Sequence, residues 1–238
     1  MRILIFTISF VIVFTACNKA SKNENKMENN SKTEAVKEST EPTIKVIDTH
    51  FSKGRLGLEH ELNLEDLEKF HGHLCDGLVV GFLGLQEGLS VLYPNGIVDR
   101  TNTRIASKAS PCLTDAAIYI TGGRYQFNSF YVDNTIENGF YIIQRKDNLK
   151  SVKVAMNKGV KPQIINNLGE KADAGTLPAC ELDKLKTMEE NFSKKLLSTN
   201  PKENFSVTEI TDFKWNPVLE NDYIKTDILN KNKSNCNQ

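Results

Sequence analysis

The sequence predicts an α+β fold in which helices pack on one face of an antiparallel β-sheet. Two helix-like segments come early in the chain, at 64–70 and 78–92. Short runs rich in β-branched and aromatic residues dominate the stretch from 129 to 156, as is typical of strands. Helical and strand-like segments are therefore grouped along the chain, whereas a parallel α/β fold would alternate them.

The N-terminus has the features of an export signal. Arg2 precedes an apolar run that ends in Thr15-Ala16-Cys17, which is the order of a positive region, an apolar region and a small-residue cleavage point. The run is shorter than the roughly 20 residues of a membrane-spanning helix. Its end resembles the lipobox of bacterial lipoproteins, so we expect residues 1–16 to be removed and Cys17 to be lipidated. Plain secretion and a buried helix are the alternatives.

The rest of the chain divides by composition. Residues 17–43 are mostly Asn, Lys, Glu, Ser and Thr, which bury too little apolar surface to fold, and this predicts a disordered tether. Residues 44–229 have the length of one domain, and the polar stretch 230–238 predicts a disordered tail. Thirty basic residues balance thirty acidic ones without a basic stripe, which excludes nucleic acid as an expected partner.

Each predicted helix has a local signal. Asn63 can cap a helix over 64–70, which has an acidic first turn. The segment 78–92 is apolar nearly all round and contains three glycines, so it predicts a buried helix whose glycines let another backbone approach closely. Pro111 precedes a helix that Gly122-Gly123 ends, and a polar helix is expected at 181–197.

The strand predictions follow from alternation and from turn residues between the runs. An antiparallel meander is expected from the three runs between 129 and 156, because Asn-, Gly- and Asp-containing turns separate them. The predicted strands are 104–107, 129–132, 140–145, 152–156 and 205–213.

Candidate metal ligands concentrate between the first two helices. His71, His73 and Cys75 lie within five residues of one another, and imidazole with thiolate suits Zn²⁺ or a similar divalent ion. Cys75 falls at or near the N-cap of the second helix, where the helix dipole favours the thiolate. The negative charge of Asp76 opposes this effect.

Cys112 repeats the arrangement at the start of the third helix, with Asp115 one turn further on. Three interpretations remain open for Cys75 and Cys112. They can share a metal, they can form a disulfide in an oxidising compartment, or each can be a small buried side chain. Cys180 and Cys236 have no His neighbours and are interpreted as structural or incidental.

These motifs together resemble those of the FmdE family, which is named after a component of formylmethanofuran dehydrogenase. The resemblance covers roughly residues 60–215. It rests on the run Phe70-His71-Gly72-His73-Leu74-Cys75, on Gly77-Leu78 and Gly81, and on the later Cys112-x-x-Asp115-Ala116 and Thr121-Gly122.

The resemblance implies an α+β domain, often dimeric, with a metal in its pocket. Carried over to this sequence, it implies His73, Cys75 and Cys112 as ligands of zinc or another divalent transition metal. It places His71 and Asp115 as further ligands or as groups that orient a ligand. The sequence departs from the family at Asp76, where proline is usual, at 123–127, and in lacking a C-terminal zinc finger.

Two functions remain at this point. The preferred one is an accessory or binding module at the cell envelope, held to the membrane through Cys17, with an unknown protein partner and a homodimer as further expectations. The alternative is a metal-dependent enzyme with an open zinc position and with Asp115 or Asp76 as proton acceptor. Formate oxidation is not expected, because the chain has no cysteine run of the kind that holds iron–sulfur clusters.

Overall fold

A computed structural model describes residues 41–50 and 56–216. The predicted signal at 1–16, Cys17, the tether up to residue 40 and the tail at 230–238 lie outside the described residues. Within the described ranges, no helix combines the length and the apolar character that a membrane span requires.

The described residues form strands and helices in mixed order. The helices are α1 (Leu64–His71), α2 (Asp76–Leu92), α3 (Pro111–Thr121), α4 (Gln163–Asp173), α5 (Ala179–Ser198) and the short α6 (Pro201–Asn204). The strands are β1 (Thr43–Thr49), β2 (Leu56–Asn63), β3 (Ile97–Asp99), β4 (Thr103–Ser107), β5 (Phe130–Val132), β6 (Tyr141–Arg145), β7 (Ser151–Met156) and β8 (Phe205–Ile210).

The strands belong to two sheets. The larger sheet has the order β5-β4-β6-β7-β8, and all of its pairs are antiparallel except β4–β5. The smaller sheet has the order β2-β1-β3, in which β1 pairs antiparallel with β2 and parallel with β3. The α+β class is therefore confirmed.

Helix α2 is the centre of the core. It packs against α3, α5 and the larger sheet, and its glycines lie where these neighbours come closest. A Cβ atom at Gly84 would lie 2.7 Å from the Phe140 ring, and one at Gly88 would lie 2.6 Å from Val154. The neighbours do come close to these glycines, but the nearest atoms belong to side chains, so the expected approach of another backbone is wrong in this respect.

The opposite face of the larger sheet carries a smaller apolar cluster. Tyr131 and Ile142 are buried there, and the segment after β8 covers them. The rings of Trp215 and Tyr131 lie 4.5 Å apart between centroids, and the guanidinium of Arg104 lies 4.8 Å above the Trp215 ring. Helices thus cover one face of this sheet, and an irregular segment covers part of the other.

Two details of the predicted architecture were wrong. The run at 129–132 does not pair with 140–145 in a meander, because β5 lies parallel to β4 at the edge of the sheet. The first sheet and α4 were not predicted at all. Most of β2 is exposed, so it shows no apolar alternation that sequence reasoning could have used.

Candidate metal centre

His71 is held by the first helix. Asn63 and Asp66 form a capping box that starts α1, and Gly72, with a φ of 106°, ends it. The helix buries Leu64, Leu67 and His71, which share one face because they are three and four residues apart. The His71 imidazole is therefore directed into the interior, and its side chain has no exposed surface.

Cys75 is the N-cap of α2, as predicted. Its Sγ accepts a hydrogen bond from the Leu78 main-chain N–H at 3.3 Å. This contact directs the sulfur towards the start of the helix, where unpaired N–H groups favour negative charge.

Cys112 stands in the first turn of α3, which begins after the N-cap Ser110 with Pro111 as its first residue. Helices α2 and α3 meet here through a glycine. A Cβ atom at Gly77 would lie 2.9 Å from both Cβ and Sγ of Cys112. The absence of a side chain at Gly77 therefore lets the two cysteines come together.

The three side chains converge on one point. The Sγ atoms of Cys75 and Cys112 lie 3.2 Å apart, and the Cys75 sulfur lies 3.9 Å from Nε2 of His71. One ligand atom from each residue falls within 4.8 Å of the others. Two thiolates on a tetrahedral zinc ion stand about 3.8 Å apart, given bonds of about 2.3 Å. The donor set therefore fits such an ion after a small rotation of the side chains.

Asp115 fixes the orientation of the imidazole. Its Oδ2 lies 2.7 Å from Nδ1 of His71. A carboxylate accepts hydrogen bonds, so Nδ1 is the donor in this contact, and the other ring nitrogen, Nε2, is left on the side of the sulfurs. This carboxylate–histidine arrangement is common beside protein-bound metals.

The surroundings favour a thiolate at Cys75. The hydrogen bond with Cys112 lowers the pKa of the Cys75 thiol, and the Leu78 N–H and the charge of His71 act in the same direction. Burial and the negative charge of Asp76 raise it, but the net effect is a lowered pKa. Asp76 thus raises the pKa of the Cys75 thiol, as expected, but the effects that lower this pKa are larger.

Asp76 is buried, and Nζ of Lys161 lies 2.8 Å from its Oδ2. Within the described part of the chain this oxygen accepts no hydrogen bond, and its contact with Lys161 is an ion pair. The carboxylate is therefore balanced by charge at the edge of the metal centre.

The structure brings some of the residues suggested by the sequence together and leaves others apart. It brings His71, Cys75 and Cys112 together, with Asp115 bound to His71. His73 is exposed and outside this group, with its ring centroid 4.7 Å from that of His71. A role for His73 as ligand stays a prediction. Cys75 and Cys112 are not disulfide-bonded, whereas Cys180 is.

A cavity adjoining the centre was missed by sequence reasoning. It has a volume of about 370 Å³ and lies between the residues 73–76 and α5. Glu189 of α5 lines it together with Cys75 and Asp76. Burial and the nearby Asp76 carboxylate raise the pKa of Glu189 to about 7. In the sequence, Glu189 is one of several charged residues on a polar helix, and nothing local distinguishes it.

Comparison with known proteins identifies the family. No curated protein matches the sequence. A family model does match residues 70–206, and its description is "FmdE, Molybdenum formylmethanofuran dehydrogenase operon". The match covers more than half of the 238 residues and includes all three residues of the His/Cys/Cys group. The chain belongs to the FmdE family.

Proposed function

We propose that this protein is a metal-binding accessory module of the cell envelope, in which His71, Cys75 and Cys112 hold zinc or another divalent transition metal. The observation that carries the proposal is the convergence of three ligand atoms within 4.8 Å. The pairing of Asp115 with the far side of the His71 ring supports it, because a structural histidine does not need its second nitrogen turned towards two sulfurs.

The donor set indicates the chemistry. Two thiolates and one imidazole suit Zn²⁺, which takes such ligands in tetrahedral sites. Three protein ligands leave a position for water, for a ligand from solution or for His73. When bound, the ion would act as a Lewis acid on whatever occupies that position. The protein's part is to hold the sulfurs and the imidazole, and Cys75 alone of the three lines the adjoining cavity among the described residues.

Metal analysis of the reduced protein and single variants tests the proposal. We expect about one equivalent of metal in the parent protein and little in Cys75→Ser, Cys112→Ser and His71→Gln. The matched control is His60→Gln, at an exposed position on β2, which should keep the metal. Absence of metal from the folded parent protein under reducing conditions would refute the proposal.

The same experiment separates the two histidines. His73→Gln should keep the metal if His71 is the ligand, and it should lose the metal if the assignment from the family resemblance holds. Circular dichroism of each variant would show whether metal loss accompanies loss of the fold.

The membrane part of the proposal concerns Cys17. The apolar run before it and the polar stretch after it support acylation at this residue, and the disulfide at Cys180 is consistent with an oxidising compartment. Labelled palmitate should be incorporated into the parent protein and not into Cys17→Ser. Release of the unlabelled variant from membranes would support the anchor, and equal membrane association of both would contradict it.

Homodimerisation and a protein partner remain parts of the proposal that sedimentation and cross-linking can test.

One observation favours a second function, that of a metal-dependent enzyme. The cavity beside Cys75 can admit a small molecule, and Glu189 in its wall has a pKa of about 7. A group with that pKa can take or give a proton near neutral pH. Turnover of a small ester or amide by the metal-loaded protein, lost in Glu189→Gln with metal retained, would support the enzyme. Equal turnover in both would exclude this role of Glu189.

A further inference from the structure

A second site lies at the other end of α3 from Cys112. A cleft of about 270 Å³ is formed where β1, the turn after β3, the end of α3 and the turn after β6 meet. Its charged lining consists of three basic side chains and one carboxylate, namely Arg100, Arg124, Lys146 and Asp48. The lining therefore has an excess of two positive charges.

Arg100 forms the floor of the cleft and is incompletely neutralised. Its Nη2 donates to the Tyr119 carbonyl at 3.1 Å, and its Nη1 lies 3.5 Å from Asp48 Oδ2. Its Nε is buried and donates to no acceptor in the part of the chain that the structure describes. The guanidinium lies against Gly122, where a Cβ atom would be 2.8 Å from Nε.

A second arginine adds to this charge. Burial lowers the pKa of Arg100, and the positive charge of Arg124 lowers it further, while Asp48 acts in the opposite direction. Two guanidinium groups close enough to repel each other across a cleft would be stabilised by an anion between them.

The other groups are free to meet a ligand. Arg124 and Lys146 are exposed, and within the described ranges neither forms an ion pair. Arg124 uses one N–H on the Gly123 carbonyl at 3.3 Å, so most of its donors remain. Phe127, which is 72% exposed, lies at the rim.

We propose that this cleft binds a phosphate group. Guanidinium groups present paired N–H donors that match phosphate oxygens, and an ammonium group adds a third positive charge. The three basic side chains and the Asp48 carboxylate together leave two positive charges. A phosphate dianion carries two negative charges and neutralises both, whereas a carboxylate ligand neutralises one. The exposed Phe127 ring gives the organic part of the ligand an apolar surface. The phosphate can belong to a soluble ester or to a lipid headgroup, and the chemistry at the cleft is the same.

Binding measurements on the full chain carrying Cys17→Ser test this, because no acyl chain then contributes. The first arm titrates inorganic phosphate and glycerol phosphate by calorimetry and by NMR shifts of the Gly122 and Ser129 amides. The second arm sediments the protein with phosphatidylglycerol vesicles and with phosphatidylcholine vesicles. Both arms compare Arg124→Gln/Lys146→Gln with Lys158→Gln, an exposed lysine that does not line the cleft.

We expect the double variant to bind at least tenfold more weakly than the parent protein, and Lys158→Gln to bind as well as the parent protein. If the double variant binds soluble phosphates more weakly, the ligand is a soluble phosphate ester. If it binds only the anionic vesicles more weakly, the ligand is a lipid headgroup. Equal binding by the two variants in both arms would overturn the proposal, as would acetate competing as well as phosphate. Because Arg124 and Lys146 are exposed, their substitution is expected to leave the circular dichroism spectrum and the metal content unchanged.

Discussion

Replacing Glu189 by glutamine should stabilise the protein at neutral and alkaline pH and leave it unaltered in acid. Glu189 faces the cavity from α5 beside the buried Asp76. Burial is the largest cause of its raised pKa, followed by the charge of Asp76, with a smaller contribution from Asp173. Lys161 opposes these effects but is engaged with Asp76. Ionised Glu189 is therefore poorly accommodated in the folded state.

The direction of the pH dependence follows from proton binding. The ordinary pKa of a glutamate is 4.5 and that of Glu189 in the fold is about 7. Between pH 4.5 and pH 7, Glu189 is therefore protonated in a larger fraction of folded molecules than of unfolded ones. The free energy of unfolding then falls as the pH rises through this window. The destabilisation is absent below 4.5 and complete above 7.

Its size follows from the raised pKa. Each tenfold change in acidity is worth about 1.4 kcal/mol, so the full effect would be about 3 kcal/mol. The Glu189 side chain is only partly buried, and screening by solvent reduces this to about 1–2 kcal/mol. Glutamine has nearly the same shape and cannot ionise, so Glu189→Gln should recover that amount at pH 8.

Urea denaturation of the metal-free, reduced protein at pH 5 and pH 8 measures this difference. Glu190→Gln is the matched control, because Glu190 is exposed on the same helix, and surface substitutions usually change stability by less than about 0.5 kcal/mol. If Glu189→Gln lowers stability equally at both pH values, the Glu189 carboxylate is a stabilising partner and the reasoning fails.

Three further predictions concern the packing around the metal centre. Asp115→Asn should weaken metal binding about 10- to 100-fold in a chelator competition, because the group that orients the ligating imidazole is changed; unchanged affinity would contradict that role. Gly77→Ala should lower both the free energy of unfolding and the metal affinity, since its Cβ would press on Cys112, whereas Gly169→Ala, in a helix with open space around it, should raise the free energy of unfolding by about 1 kcal/mol. Tyr141→Phe should cost about 1 kcal/mol in urea denaturation, since the hydroxyl donates to a main-chain carbonyl at 2.7 Å in the core; no loss would mean that the bond contributes nothing net.

Local signals in the sequence were sufficient for the positions of the ligand-bearing helices. The Asn63 cap, the N-cap position of Cys75 and the start of α3 near Pro111 all depend on residues within one helical turn. The family resemblance, and no local signal, implied His73 as a ligand, and the inward direction of His71 depends on where α1 ends. The sequence prediction ended it near Phe70 and left His71 in the corner, whereas the helix includes His71. One more residue of helix places His71 on the same face as Leu67 and directs it inwards.

Features that depend on distant residues were not accessible in this way. The contact between Cys75 and Cys112 spans 37 residues, and the sequence left three interpretations open, namely a shared metal, a disulfide and two small buried side chains. The cavity depends on α5, which lies more than a hundred residues after the motif. The parallel position of β5 is set by pairing with β4 across α3, and the intrinsic preferences of residues 130–132 do not distinguish the two possible partners.

The way the ligands are held bears on what the metal does for the fold. His71 is fixed by the apolar face of α1, Cys75 by its own N-cap hydrogen bond, and Cys112 by the contact of α3 with Gly77. Each of these restraints comes from helix capping or from core packing, and none requires an ion. The centre therefore differs from small zinc domains, in which the metal supplies the folding free energy. Cys75→Ser should accordingly lose the metal and keep the fold, because the serine hydroxyl can still cap α2. On the proposed function, such a site can take up and release a metal without unfolding, which is the behaviour that an accessory module or an open catalytic centre requires.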